Sequence, residues 1–314
     1  MSSMQTIAII GAGVAGLACA RRLAAAGLDV SIFDKGRKAG GRAATRCVAS
    51  GIQFDHGAQY FTARSPAFKS VLNDMLSVGA AARWNDGSEK SHFVGTPGMN
   101  ALARYLGRNL QVRQSTEVVA ISRTRIGWTV DTVADKPQFD IVVITIPAPQ
   151  IVGLLAPSGV LTRELEGVSY DPCLTLMAAL VPIDGPSFIT RADAEDPLAW
   201  IAEDSSKPDR GTDACWVAQA NPFWSAKHLN SDRDTVATTM LSMLCDRLST
   251  KRANVHYAAV HRWKYAKVSQ PLGAPFIRDT SGTLYAGGDW CLGARLEAAW
   301  TSGDSIAHDI LQSL

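Results

Sequence analysis

The chain has 314 residues, enough for two domains or one large domain with an insertion. Its 46% hydrophobic content supports a sizeable core and excludes global disorder. Lys plus Arg number 31 against 29 Asp plus Glu, a formal net charge of +2, which gives no support to nucleic acid or an anionic membrane as the main partner. The six cysteines (Cys19, Cys47, Cys173, Cys215, Cys245 and Cys291) are widely spaced with no C-x-x-C pair. That argues against a zinc site or a disulfide framework and for a cytoplasmic protein.

In chain order, Thr6–Ile10 is the short apolar run of a buried parallel strand. Residues 14–26 follow as an Ala- and Leu-rich helix stopped by Gly27, and residues 30–33 form a second strand ending at Asp34, which completes a βαβ unit. The uncharged stretch 7–20 is no signal peptide, since residues 1–5 carry no basic side chain, and no membrane helix, since Gly11, Gly13 and Gly16 punctuate it. Pro147 and Pro149 interrupt the apolar stretch 141–155 in the same way. A soluble protein without a membrane partner is expected. Ser65-Pro66 opens a helix with Phe68, Val71, Leu72, Met75 and Leu76 at helical spacing, and Thr96-Pro97 opens a third.

Residues 118–121 and 128–133 read as antiparallel strands joined through Gly127, and 140–146 as a buried strand ended by prolines. Between about 153 and 275 the strand-like runs 174–181, 199–202, 215–220 and 257–263 alternate with loops, with one long helix over 232–248. A strand at 283–286 then leads through Gly287-Gly288-Asp289 to a final helix ending at Leu311. The expected class is α/β: a Rossmann-like nucleotide domain (1–64, 97–152 and 276–314) interleaved with an α+β substrate domain built on an antiparallel sheet (65–96 and 153–275).

Gly11-Ala12-Gly13-Val14-Ala15-Gly16 is a G-x-G-x-x-G with a strand before it and a helix after it. The first glycine makes the turn, the second lets the backbone approach a pyrophosphate, and the third lets helix and strand pack closely. The N–H groups at the helix start, Val14 and Ala15, face the phosphates. Asp34, followed by Lys35, suits ribose hydroxyls. This motif alone does not separate FAD from NAD. Gly40-Gly41-Arg42 begins to: the glycine pair admits a ligand close to the backbone, and Arg42 can hold a phosphate through two bonds.

Three more segments complete the pattern: Asp55-His56-Gly57-Ala58-Gln59-Tyr60-Phe61-Thr62-Ala63-Arg64, Val143-Ile144-Thr145-Ile146-Pro147-Ala148-Pro149-Gln150, and Ala286-Gly287-Gly288-Asp289-Trp290-Cys291 continued by residues 293–303. With His261-Arg262-Trp263, they make the chain resemble the renalase family, particularly its bacterial members, within the amine oxidase type of flavoprotein. The resemblance runs over essentially the whole chain. It implies the p-hydroxybenzoate hydroxylase type of fold, non-covalent FAD, and a dinucleotide substrate: dihydronicotinamides reduced at the 2- or 6-position, returned to NAD(P)+ while dioxygen becomes hydrogen peroxide. One departure is a shorter 80–93 region, which bears on a lid or substrate wall.

The resemblance also suggests roles. Asp289 would hold the ribityl hydroxyls, or cap the last helix; the helix start at Leu296 and Glu297 would face the flavin ring. Ala58 and Gln59 would lie under that ring, and the backbone of Val118 would bracket the adenine, unless Val118 is a plain core residue. Tyr60, Phe61, Thr62, Arg64 and Arg295 would line the substrate side, the aromatics stacking on a flat dihydropyridine and the arginines bonding a carboxamide or phosphate. Tyr60 and Phe61 are equally readable as core aromatics; Trp263 and Trp290 are weaker candidates.

No nucleophile, metal site or other protein catalytic group stands out in the sequence, which suits hydride transfer: the dihydropyridine nitrogen supplies electrons as hydride leaves, and the flavin accepts it. Two alternatives remain, a flavin amine oxidase using Lys264 or Lys267, and a dinucleotide-binding sensor without turnover.

Overall fold

The computed structural model describes residues 5–48, 51–156, 159–181, 188–211 and 213–314; residues 1–4, part of the segment 1–5 read above for basic side chains, lie outside them. The expected βαβ unit is β1 (Thr6–Ile10), α1 (Val14–Ala25) and β2 (Asp29–Phe33). A hairpin of β3 (Thr45–Cys47) and β4 (Gln53–Asp55) leads to α2 (Pro66–Ser77). As its sequence predicts, α2 has Ser65 as N-cap, accepting from the Phe68 N–H, and buries Phe68, Leu72 and Met75. Each such buried side chain contributes about 1.5–3 kcal/mol.

A second hairpin, β5 (Ala81–Trp84) and β6 (His92–Gly95), precedes α3 (Ala101–Leu106). This helix starts after Thr96-Pro97 rather than at it. Then come β7 (Val112–Arg113), the antiparallel set β8 (Val118–Arg123), β9 (Trp128–Thr132) and β10 (Gln138–Phe139), and β11 (Ile141–Ile144). The prolines after β11 open α4 (Ala148–Leu155), since proline fits a helix's first turn. The chain continues with β12 (Ser169–Leu180), β13 (Thr190–Ala192), β14 (Trp200–Glu203), β15 (Ala214–Gln219), α5 (Pro222–His228), α6 (Arg233–Arg247), β16 (Val255–Gln270), β17 (Ile277–Arg278), β18 (Leu284–Ala286) and α7 (Leu296–Ser313).

Two sheets organise the molecule. The first has the order β17-β18-β11-β1-β2-β7, parallel apart from its edge strand β17. Alternate β1 residues feed opposite cores: Ile7 and Ile9 pack with Leu17 of α1 and Ile306 of α7, and Ala8 and Ile10 with Trp128 and Ile151. The segment 65–96 joins the first of these clusters through Phe68, Leu72, Met75 and Trp84, so it packs on the nucleotide layer.

The second sheet is antiparallel, ordered β13-β14-β15-β12-β16. Its outer face (Leu174, Leu176, Ala178, Trp216) packs on α6 through Met240 and Leu244. Its inner face starts with Met177, Ala179, Cys215 and Val217 against Ile52 and Phe54. The same face continues with Thr175 between Gln219 and His261, and then Cys173 beside Trp263.

Candidate active site

The loop after β1 is shaped by its glycines. Gly11 has φ +106°, and a Cβ on Gly16 would run into the Gly11 carbonyl oxygen. A Cβ on Gly13, the N-cap of α1, would meet nothing within 4 Å. The cradle is therefore closed where strand and helix must touch and open where a pyrophosphate would lie against the first helical N–H groups, those of Val14, Ala15 and Gly16. Asp34 secures it: its carboxylate accepts from the N–H groups of Ala12 and Gly36, both at 2.6 Å. Each oxygen retains a lone pair for a ribose hydroxyl. Lys35 is exposed. The Val118 side chain lies in the core, so only its backbone is free to face an adenine.

Gly40 and Gly41, at φ +129° and +53°, bring the next segment onto this loop, with the Gly40 N–H donating to Ala12 O at 2.8 Å. Arg42, expected to fork on a phosphate, has protein partners here. Its guanidinium donates to Asp289 Oδ1 at 2.5 Å and to the β16 carbonyls of Ala266 and Tyr265 at 3.1 and 3.4 Å. Two residues expected to touch the cofactor thus meet each other. Trp290 is fully buried and donates to Ile146 O, a packing role that removes it from the substrate wall.

Glu297, expected at the helix start facing the flavin, also has protein partners. Its side chain turns from the start of α7 to accept the N–H groups of Arg64 (3.1 Å) and Ser65 (2.7 Å). Burial pushes its pKa up, but the Ser65 and Arg64 hydrogen bonds and the Arg295 charge outweigh that and hold it below the usual range. Glu297 is therefore a clamp on the segment carrying Tyr60 to Arg64. Leu296 packs partly buried beside it, and Arg295 and Arg64 are exposed.

The Asp55–Gln59 segment sits on a buried charge network that the sequence did not reveal. Asp55 accepts from Thr45 Oγ1 (2.7 Å), the Met99 N–H (2.9 Å), Lys207 Nζ (3.2 Å) and Arg210 (2.6 Å). Lys207 also donates to Asp204 (2.5 Å) and to Gln59 Oε1 (3.4 Å), and Gln59 returns its amide N–H to Asp55 O at 2.5 Å. The side chains of Asp55, Asp204 and Lys207 are wholly inaccessible and that of Arg210 is 1% exposed. For Asp55, burial works upward, but Lys207 and Arg210 hold its pKa low. For Asp204, burial wins over Lys207 and raises it.

The segment is gripped from both sides. A Cβ on Gly57 would strike the Arg42 carbonyl oxygen, the Ala58 N–H donates to that same oxygen at 2.8 Å, and Gln219 of β15 donates to Gly57 O at 2.8 Å. Ala58 and Gln59 thus lie between the Arg42 loop and the second sheet.

Aromatic rings flank this junction. Tyr60, half-buried, stacks on His92 with centroids 3.6 Å apart and tilts against Trp200 at 5.7 Å; His92 is held by Asp86 at 2.8 Å. Phe61, by contrast, is 3% exposed and packs on Phe68 and Phe93, a core aromatic with no face left for a substrate. Thr62 is half-buried. On the other side His56 stacks on Trp263 (5.4 Å) and meets the edge of His261 (4.8 Å), while Trp263 Nε1 donates to His56 O at 2.7 Å. Burial first, then the charges of His261 and Arg46, push the His56 pKa down to about 4; burial, Arg46 and Arg233 bring His261 to about 4. Both rings are neutral at physiological pH.

Residues 80–311 match the family model for flavin-containing amine oxidoreductases, and residues 9–75 that for an NAD(P)-binding Rossmann-like domain. The chain belongs to the flavin-containing amine oxidoreductases. Within them it is renalase-like: it is 25% identical to mouse renalase, over 85% of this chain and 86% of that one. A Nicotiana tabacum protoporphyrinogen oxidase is 45% identical over 109 residues, only 18% of its own length. In three dimensions the fold matches a crystal structure from Exiguobacterium sp. 255-15 assigned as a protoporphyrinogen oxidase, with TM-score 0.81, 15% identity and 100% of both chains covered. It also matches putrescine oxidase with its substrate, TM-score 0.76 and 14% identity, over 98% of this chain and 99% of that one.

This renalase-like flavoprotein is thus an FAD-dependent oxidoreductase acting on a small molecule, and the open Gly13 cradle fits the cofactor's diphosphate. Among the described residues, no group of three or more His, Cys, Asp or Glu is placed to hold a metal, and no helix is long and apolar enough to cross a membrane.

Proposed function

We propose that the protein oxidises the 2- and 6-dihydro isomers of NAD(P) to NAD(P)+. One substrate molecule, dioxygen and a proton give NAD(P)+ and hydrogen peroxide. FAD, held without a covalent link, would supply the hydride acceptor and the route of the electron pair to dioxygen. Residues 1–64, 97–152 and 276–314 would hold it, and the inner face of the second sheet would cover its substrate side.

The observation that carries this reading is the aromatic wall beside the Gly57–Gln59 segment. Tyr60, half-buried, stacked on His92 and tilted against Trp200, would present the exposed part of its ring to a dihydropyridine. Glu297 holds the backbone of that wall, and Lys207 holds Gln59. Position matters because displacement by about 1 Å costs roughly a hundredfold in rate. The chemistry asks for no protein base, and His56 and His261, the imidazoles beside the Gly57 segment, stand neutral. Arg42 and Asp289 would steady the diphosphate and ribityl chain, and Arg64 and Arg295 would meet the carboxamide or phosphate at the rim. Lys264 and Lys267, which an amine oxidase mechanism would recruit, are both exposed.

The test is aerobic turnover of the purified holoprotein with each dihydro isomer and with putrescine. Stoichiometric NAD(P)+ and peroxide from the 2- or 6-isomer are expected; peroxide from the amine alone would replace this reading with an amine oxidase.

A further inference from the structure

The inner face of the second sheet carries one row of polar and aromatic side chains. Strand register sets Trp200 of β14 opposite Gln219 of β15, Gln219 opposite Thr175 of β12, and Thr175 opposite His261 of β16. Residues paired in this way have Cβ atoms about 4.5–5.5 Å apart. Gln219 therefore stands one strand from Trp200, whose ring lies 5.7 Å from that of Tyr60.

The orientation of the Gln219 amide is fixed by its partner. Gly57 O can only accept, so the amide nitrogen must face it, and it does so at 2.8 Å. The same carbonyl takes the Gln59 amide N–H at 3.2 Å, which fills both of its lone pairs. Gln219 Oε1 is the end left over. The residue is half-buried, and Oε1 is accessible and accepts no hydrogen bond among the described residues. Its polar neighbours are engaged within the protein: Thr175 is wholly buried, His261 Nδ1 lies 3.5 Å from Arg46, and Gln59 Oε1 takes Lys207.

A nicotinamide carboxamide has two ends to satisfy, an oxygen that accepts and an NH2 that donates. Arg64 and Arg295 can only donate, so they suit the oxygen or a phosphate but not the NH2. The NH2 of a ring lying against Tyr60 calls for an acceptor beside that wall, and Gln219 Oε1 stands there.

We propose that Gln219 is a specificity-determining residue, whose Oε1 accepts a hydrogen bond from the carboxamide NH2 of the dihydronicotinamide. The assignment rests on the proposed function and names the group by which the site tells its substrate from close analogues. An acetyl group in place of the carboxamide offers no N–H. A carboxylate offers none either and sets a negative charge against Oε1. A site built to bond an N–H rejects the analogue that lacks it, because its own acceptor is left unpaired. One such bond corresponds to about tenfold in affinity.

Two measurements on the holoprotein test this, each read as a ratio so that a general loss of fit cancels. The first titrates the oxidised mononucleotides of nicotinamide and of 3-acetylpyridine and follows the shift of the flavin absorption band. The unsubstituted protein should bind the carboxamide about tenfold tighter, and Gln219→Met should erase that preference while FAD content stays near one. Gln219→Glu gives up the donor to Gly57 O but keeps an acceptor, so it should retain the preference. Equal affinities in the unsubstituted protein, an unchanged ratio in Gln219→Met, or no binding of either compound overturns the contact. A preference lost in Gln219→Glu as fully as in Gln219→Met assigns the side chain to holding Gly57 alone, and overturns it too. The second measurement compares kcat/KM for the 6-dihydro forms of the same two compounds, whose ratio should fall in Gln219→Met by the factor seen in binding; an unchanged ratio overturns a role in substrate choice. If neither 6-dihydro compound is oxidised, the proposed function fails and the titration alone decides the contact.

Discussion

Replacing Lys207 by methionine tests how the Gln59 segment is held. The change keeps an unbranched stem beside the Trp84 ring, which Lys207 Nζ faces at 5.2 Å, and removes one of two cations that balance Asp55 and Asp204. Breaking a buried pair by removing one partner costs about 3–5 kcal/mol. Asp204 lowers that cost, because burial already raises its pKa and it will take a proton once Lys207 is gone. A loss of about 3 kcal/mol at pH 7 is expected. The folded pKa of Asp204 lies above its unfolded value, so its protonation favours the fold at low pH and that contribution fades as pH rises. The Lys207→Met penalty should therefore be smaller at pH 5 than at pH 8. Adding Asp204→Asn leaves Asp55 balanced by Arg210 and keeps an acceptor for the Asp55 N–H, so the double variant should recover at least about 1 kcal/mol through coupling. Urea unfolding followed by tryptophan fluorescence, with FAD in fixed excess, reads both quantities. A single-variant loss under about 1 kcal/mol, or strict additivity in the double variant, would refute the network as a charge-balanced clamp.

Asp289→Ala should lose flavin on dialysis, since it removes an acceptor and leaves Arg42 without its partner; acid precipitation of the unsubstituted protein should release all FAD to the supernatant, and flavin left in the pellet counts against non-covalent binding. Glu297→Gln keeps the shape but gives up a charged acceptor for the Arg64 and Ser65 N–H groups, so kcat should drop about tenfold or more while FAD content stays near one; equal turnover would show that the clamp does not position the wall. His56 has a folded pKa of about 4 against an ordinary 6.5, so the unfolded chain binds more protons between those values and stability falls as pH drops from 6.5 to 4. That single group accounts for roughly 2–3 kcal/mol at the acid end, and the difference in urea midpoint between the unsubstituted protein and His56→Gln across this range measures it.

The local elements were legible because their signals are local. A strand, a glycine turn and an Ala-rich stretch define the βαβ unit, and Ser65-Pro66 announces α2. The prolines at 147 and 149 misled: they end β11 but begin α4, because a missing N–H costs nothing in a first helical turn. The lengths of β12 and β16 were hidden because half-buried strands carry polar residues such as Asp171 and Lys267. At the site, the glycines and Asp289 were readable as motifs. Lys207, Asp204 and Arg210 were not, since charged residues in a loop read as solvated and only their packing on Asp55 of the β3–β4 hairpin, Gly95 and Trp84 buries them. Phe61 stayed open between wall and core, and Trp290 a weaker candidate, for the complementary reason: aromatic type does not say which face a ring takes.

The measurement that bears most directly on the account is anaerobic stopped-flow reduction of the bound flavin by authentic 2-, 4- and 6-dihydro isomers of NAD(P). The 2- or 6-isomer should bleach the flavin at least a hundredfold faster than the 4-isomer, because a hydride-bearing carbon misplaced by about 1 Å along the ring already costs that factor. If ordinary 4-dihydro NAD(P)H bleaches it as fast, or if amines do so while every isomer fails, the substrate assignment is wrong.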